Sequence, residues 1–127
     1  MLLTPGRILA DRYKVEEYVG EGGMQEVYRA CDSHFNRTVA LKVPKNASAE
    51  RRFVQSARVS ARIVHTNVAK TLDYFDEGQR GHLVEEFVLG RDLGRVMRTT
   101  MSSWTAIWPP TFFTYWRRGL PPPITLA

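Results

Sequence analysis

Cysteine is almost missing from this chain: Cys31 is the one example among 127 residues. No intramolecular disulfide can form, no zinc-type cysteine spacing exists, and a reducing cytoplasm is the simpler setting. Long apolar runs are missing as well. No stretch reaches the ~18 apolar residues of a membrane span, and the opening M-L-L-T-P-G-R-I-L-A lacks the apolar core of a signal peptide. Histidine is scarce, and no Ser-His-Asp arrangement follows from the order of His34, His65 and His82. His65 reads as a turn or core residue. Blocks of one charge are also absent. The net charge is +5, but the basic residues are scattered, which reads as a solvated surface rather than a nucleic-acid or membrane patch. From Thr99 onward there is no Asp, Glu or Lys, and that end holds all three tryptophans with two proline clusters, at 109–110 and 121–123.

What is present is concentrated between Val19 and Lys42. Gly20, Gly22 and Gly23 lie between two alternating apolar runs, Tyr13 to Val19 and Val27 to Ala30. This is the pattern of a β-hairpin whose turn lets backbone approach a ligand, because glycine has no Cβ and tolerates φ > 0. A third strand, Thr38 to Val43, carries Lys42 among apolar neighbours and ends at Pro44. A point cation facing a ridge of backbone N–H groups suits the oxygens of a triphosphate. Asp32 to Asn36 is turn chemistry. Ser48 is expected to cap a helix over about Ala49 to Val64, with Phe53, Ala57, Ala61 and Val64 on its apolar side and Arg51, Arg52, Arg58 and Arg62 on its wet side. Ala69 to Phe75 and His82 to Val88 read as a second hairpin.

Gly20-x-Gly22-Gly23-Met24, Val27 and Val39-Ala40-Leu41-Lys42 together resemble the glycine-rich loop and lysine strand of Hanks-type protein kinases, in the form similar to bacterial serine/threonine kinases. His65-Thr66-Asn67-Val68 resembles the turn after the kinase helix C. Glu86-Phe87-Val88 resembles the hinge that hydrogen-bonds adenine, and Gly90-Arg91-Asp92-Leu93 the start of the next helix. The resemblance implies an α+β fold, a five-stranded antiparallel sheet plus one helix. It divides the chain into a lead-in at 1–12, a kinase-like N-lobe at 13–98 and an irregular tail at 99–127. It implies ATP contacts from Val19, Gly20, Glu21, Gly22, Gly23, Met24, Gln25, Glu26, Val27, Ala40 and Lys42, hinge contacts from Glu86 and Val88, and Mg2+ arriving with the nucleotide.

Three positions depart from the family pattern. Gln25 stands where the last glycine of the loop belongs. Ser56 stands where helix C supplies the acid that pairs with the lysine; Glu50, six residues earlier, is on another side of the helix. Glu85 occupies the position behind the adenine, where a buried carboxylate needs a partner, and Lys42 would then pair with Glu85 instead of phosphate. The H-R-D and D-F-G segments, which supply the base and a magnesium ligand in the family, do not occur in the sequence. The expectation is therefore an ATP-binding N-lobe truncated before its catalytic half, with no phosphotransfer by this chain alone, and with faces that self-associate or take a kinase C-lobe as partner. The tail reads as a frameshifted or aberrant end, or less simply as a polyproline ligand. A non-catalytic, pseudokinase-like interaction module is the first alternative. A basic nucleic-acid or membrane-surface binder is the second.

Overall fold

The computed structural model describes residues 1–99. Six strands and one long helix follow in order: β1 (Ile8–Leu9), β2 (Tyr13–Glu21), β3 (Gln25–Asp32), β4 (Arg37–Pro44), α1 (Ala47–Ser60), β5 (Thr71–Glu77) and β6 (Arg80–Glu86). They build one antiparallel sheet in the order β1-β2-β3-β4-β6-β5. The five expected strands are all there, and β1 adds a sixth. The chain divides after Val88 into two compact units. In the second, the described residues form a short helix over 93–99, whose first turn is capped by Asp92 Oδ1 accepting the Gly94 N–H at 2.9 Å. The tail expected to be irregular lies, from residue 100 on, outside the described residues.

Alternation along the strands sorts side chains onto two faces. One face gathers Tyr13, Val15, Tyr28, Ala30, Val39, Leu41, Val43 and Val84 into the main core, closed by Leu3 and Leu9. The lead-in packs on this core. Leu3 and Leu9 are buried and Leu2 is half-buried, and the hydroxyl of Tyr28 accepts the Leu2 and Leu3 N–H groups at 2.8 and 3.0 Å. The other face holds a smaller cluster, where Phe53 and Ala57 of α1 pack on Leu83 and Tyr74.

Local chemistry sets the turns. Gly78 and Gln79 both take left-handed φ, 61° and 66°, between the paired residues Glu77 and Arg80. Such a two-residue turn matches the twist of a hairpin. Helix α1 differs from expectation at both ends. Asn46, not Ser48, is the cap: its Oδ1 accepts the Ala49 N–H at 3.0 Å, and Ser48 donates to the same oxygen at 2.7 Å. The helix stops at Ser60, four residues early. Arg62 and Ile63 there bond back to Val59 and Ser60, closing a tight turn that leaves Val64 86% exposed. The sheet offers those β-branched side chains nothing to cover, so they gain nothing from continuing the helix.

Candidate functional site

The glycine-rich segment is the tip of the β2–β3 hairpin. Pairing continues through Gly20–Val27 and Glu21–Glu26, so the turn is Gly22, Gly23 and Met24, closed by the Gly22 N–H donating to Gln25 O at 2.8 Å. Lys45 ties this tip to the end of β4: its N–H donates to Met24 O at 2.9 Å and its ammonium meets Glu21 at 3.1 Å. None of the three glycines uses left-handed φ, so that part of the sequence argument does not apply. What their small size provides is open space. A Cβ on Gly20 or Gly23 would meet nothing within 4 Å, and one on Gly22 only Gln25 Cγ at 3.9 Å.

Lys42 lies opposite Val27 on one side and Leu83 on the other, while Ala40 lies opposite Glu85. Period-two alternation therefore puts Val27, Ala40, Lys42, Leu83 and Glu85 on one face, the face that α1 covers in part. The ammonium of Lys42 is ion-paired and hydrogen-bonded to Glu85 Oε2. The two side chains are 23% and 10% exposed. The pairing anticipated from Glu85's position is thus formed, running diagonally across β4 and β6.

Neither helix position considered as a partner pairs with Lys42. Ser56 is exposed on α1 and carries no charge. Glu50 is engaged elsewhere, accepting the Gly81 N–H at 2.7 Å. Among the described residues Glu85 is the ion-pair partner of Lys42.

Not every expected contact residue gathers around that lysine. Glu26 alternates with Val27 and so faces the main core, where it is buried. It accepts from the Tyr28 hydroxyl and, at 2.8 Å, from the Leu2 N–H, and it pairs with the Met1 amine at 3.2 Å. Burial alone would push its carboxyl upward, but these donors together hold it below the usual range. Glu21 is committed to Lys45, Val19 is exposed on β2, and Met24 and Gln25 are half-buried. At the hinge, the Glu86 N–H donates to Lys70 O at 2.8 Å, while Val88, 67% exposed, makes no backbone hydrogen bond among the described residues. Leu83 was not anticipated as part of the Lys42 face; counting back two residues from Glu85 along β6 is the signal that finds it.

The family model for the protein kinase domain matches residues 13–107. The chain belongs to the protein kinase domain family. It is 36% identical over 98 residues to a probable serine/threonine-protein kinase of Clostridium acetobutylicum, covering 73% of this chain and 15% of that protein. It is 43% identical over 84 residues to the DNA damage-responsive serine/threonine-protein kinase RqkA of Deinococcus radiodurans, covering 64% and 13%. Among solved structures it is similar to the Mycobacterium tuberculosis PknI kinase domain, with a TM-score of 0.61 and 26% identity over 76% of this chain and 41% of that one. A structure described as the PpkA-294 apo form shares the fold at a TM-score of 0.68 and 23% identity, covering 88% and 49%. The chain spans only 13–24% of the length of curated relatives such as these.

Proposed function

We propose that residues 13–98 are the ATP-binding lobe of a cytoplasmic serine/threonine protein kinase, and that this chain alone binds Mg-ATP weakly and transfers no phosphate. The observation that carries the reading is the placement of Lys42 on the open face of β4, across from Val27 and below the Gly22–Met24 turn. Backbone N–H groups of that turn and the Lys42 ammonium would hold the phosphates. Val27 and Ala40 would offer apolar contact to the base, and the exposed backbone at Val88 and the carbonyl side of Glu86, whose N–H is held by Lys70 O, would offer it hydrogen bonds. Mg2+ would enter with the nucleotide and supply charge neutralisation between phosphate oxygens. Among the described residues no cluster of three or more His, Cys, Asp and Glu side chains is placed to hold a metal by itself. Phosphoryl transfer also needs a residue to orient the acceptor hydroxyl, and the sequence contains no H-R-D or D-F-G segment to supply it or a magnesium carboxylate.

The test is an equilibrium titration of the folded chain with Mg-ATP. The expected Kd is about 1 mM, a free energy of about −4 kcal/mol, and Lys42→Met abolishes binding. No binding at several millimolar nucleotide counts against the reading. A protein substrate incubated with the chain and labelled ATP should remain unlabelled.

A second reading, a non-catalytic interaction module, is favoured by the closed Lys42–Glu85 pair and by the exposed Ile63, Val64 and Val68. Its partner would be a kinase C-lobe or a second copy of the chain. Capture of a purified kinase C-lobe by a chain that ignores ATP would favour it over nucleotide binding.

A further inference from the structure

We propose that Glu85 is an internal competitor for the phosphates: its carboxylate occupies the Lys42 ammonium in the free protein and thereby sets the affinity for nucleotide. The inference rests on the ATP-binding reading and goes beyond it, because it assigns an affinity-determining role to a side chain outside the expected contact set.

The direction of the pair carries the argument. The glycine turn sits at the Pro44 end of β4, since Gln25 lies opposite Pro44. Glu85 lies opposite Ala40, two residues toward the other end. Two strand residues span about 7 Å. The ammonium is therefore drawn along the sheet toward the hinge and away from the turn where phosphates would lie. Returning it to a phosphate leaves Glu85 buried without a cation, beside a polyanion. Neither Ser56, which is uncharged, nor Glu50, which is bound to Gly81, changes that balance. Removing one member of a buried pair is costly because the survivor stays desolvated. The cost here falls on the nucleotide-bound state alone.

The experiment measures binding of ATP, ADP and adenosine to the full chain, to Glu85→Gln and to Lys42→Met. Glutamine keeps the size of the side chain and removes its charge. The expected result is an affinity for ATP and ADP about tenfold tighter in Glu85→Gln, the low end of what close charge pairs couple. Adenosine, which has no phosphate to compete for Lys42, binds both chains equally, and adding Lys42→Met to Glu85→Gln removes the gain. A thermal melt confirms that each variant is folded. Glu85→Met, whose side chain suits the apolar surroundings of Ala40 and Leu83, replaces the glutamine if that variant fails to fold. Unchanged or weaker ATP binding in a folded Glu85 variant overturns the competition, and so does an equal gain for adenosine. If the wild-type chain binds ATP and Lys42→Met does not, such a result removes the competition and leaves the nucleotide reading standing. If no chain, Glu85→Gln included, binds ATP at several millimolar, both fall.

Discussion

Asp32 is the charged residue on which the β2–β3–β4 end of the sheet depends. It is fully buried, and it accepts from Arg12 Nε and Nη2 at 2.8 and 2.9 Å, from the His34 N–H at 3.1 Å and from Arg37 Nε at 3.3 Å. The Arg12 hydrogen bonds, acting against burial, hold its carboxyl at about 2. A carboxyl whose folded value is depressed contributes stability above its unfolded value, and that stability disappears as pH falls through the folded one. His82 acts in a different window. It is buried and stacked on Phe75 at 5.0 Å, and burial lowers its pKa below 6.5 despite the Arg80 carbonyl at 3.0 Å. It stays neutral in the fold while the unfolded chain takes up a proton, so stability falls as pH drops below about 6.5. Urea unfolding across the acid range should therefore show two declines. The first, just below pH 6.5, vanishes in His82→Phe. The second, of about 2 kcal/mol between pH 4 and 2, vanishes in Asp32→Asn, which is already less stable at pH 7.

At the scale of elements, the packing of α1 on the sheet depends on Gly81. Its N–H donates to Glu50 on the helix, and a Cβ there would collide with the Tyr74 hydroxyl, with the ring Cζ at 2.8 Å and Glu50 Oε1 at 3.0 Å. Tyr74 is itself packed against Phe53, Ala57 and Leu83. Gly81→Ala should therefore cost about 2 kcal/mol, read as a lower urea midpoint. Glu50→Ala and Gly81→Ala should be less than additive, since both break the same link. This junction was not legible in the sequence, where Gly81 reads as the end of a hairpin turn and Glu50 as a helix residue of no role. The hairpins were legible, because apolar residues alternate over whole strands and the period survives any error in their ends. The capping residue was not, because Asn46 and Ser48 are both good caps and only the backbone at Asn46, extended at φ −157°, decides between them. The packing of the lead-in was not legible for another reason. Leu2, Leu3 and Leu9 show no period, and the first two are held by Glu26 and Tyr28, 24 to 26 residues away. At the site, the kinase resemblance flagged both Lys42 and Glu85 and anticipated their pairing; the β4–β6 register supplies the geometry, with Glu85 opposite Ala40 and Leu83 opposite Lys42.

For the whole molecule, the connection from α1 to β5 raises the question of what covers it. Ile63, Val64 and Val68 are exposed apolar residues there. With His65, Thr66, Lys70 and Glu86 they line a depression of about 430 Å³. β-branched side chains left in water on neighbouring positions favour association whenever a second surface can cover them. Opposing this is the net charge of +5, which makes two copies repel. The balance predicts association that grows with concentration and, unlike an interface held by ion pairs, strengthens with salt, because screening removes the repulsion within a Debye length of about 8 Å at physiological ionic strength. Sedimentation should show the mass rising above the monomer's 14.6 kDa, more so at higher salt. Val64→Glu should weaken association about tenfold, as expected for placing a charge where about 1.4 kcal/mol of apolar burial was gained. A monodisperse monomer at every concentration would mean that this surface is stable in water as it stands. Association that weakens with salt would mean that charged groups, Lys70 and Glu86 first among them, hold the copies together instead.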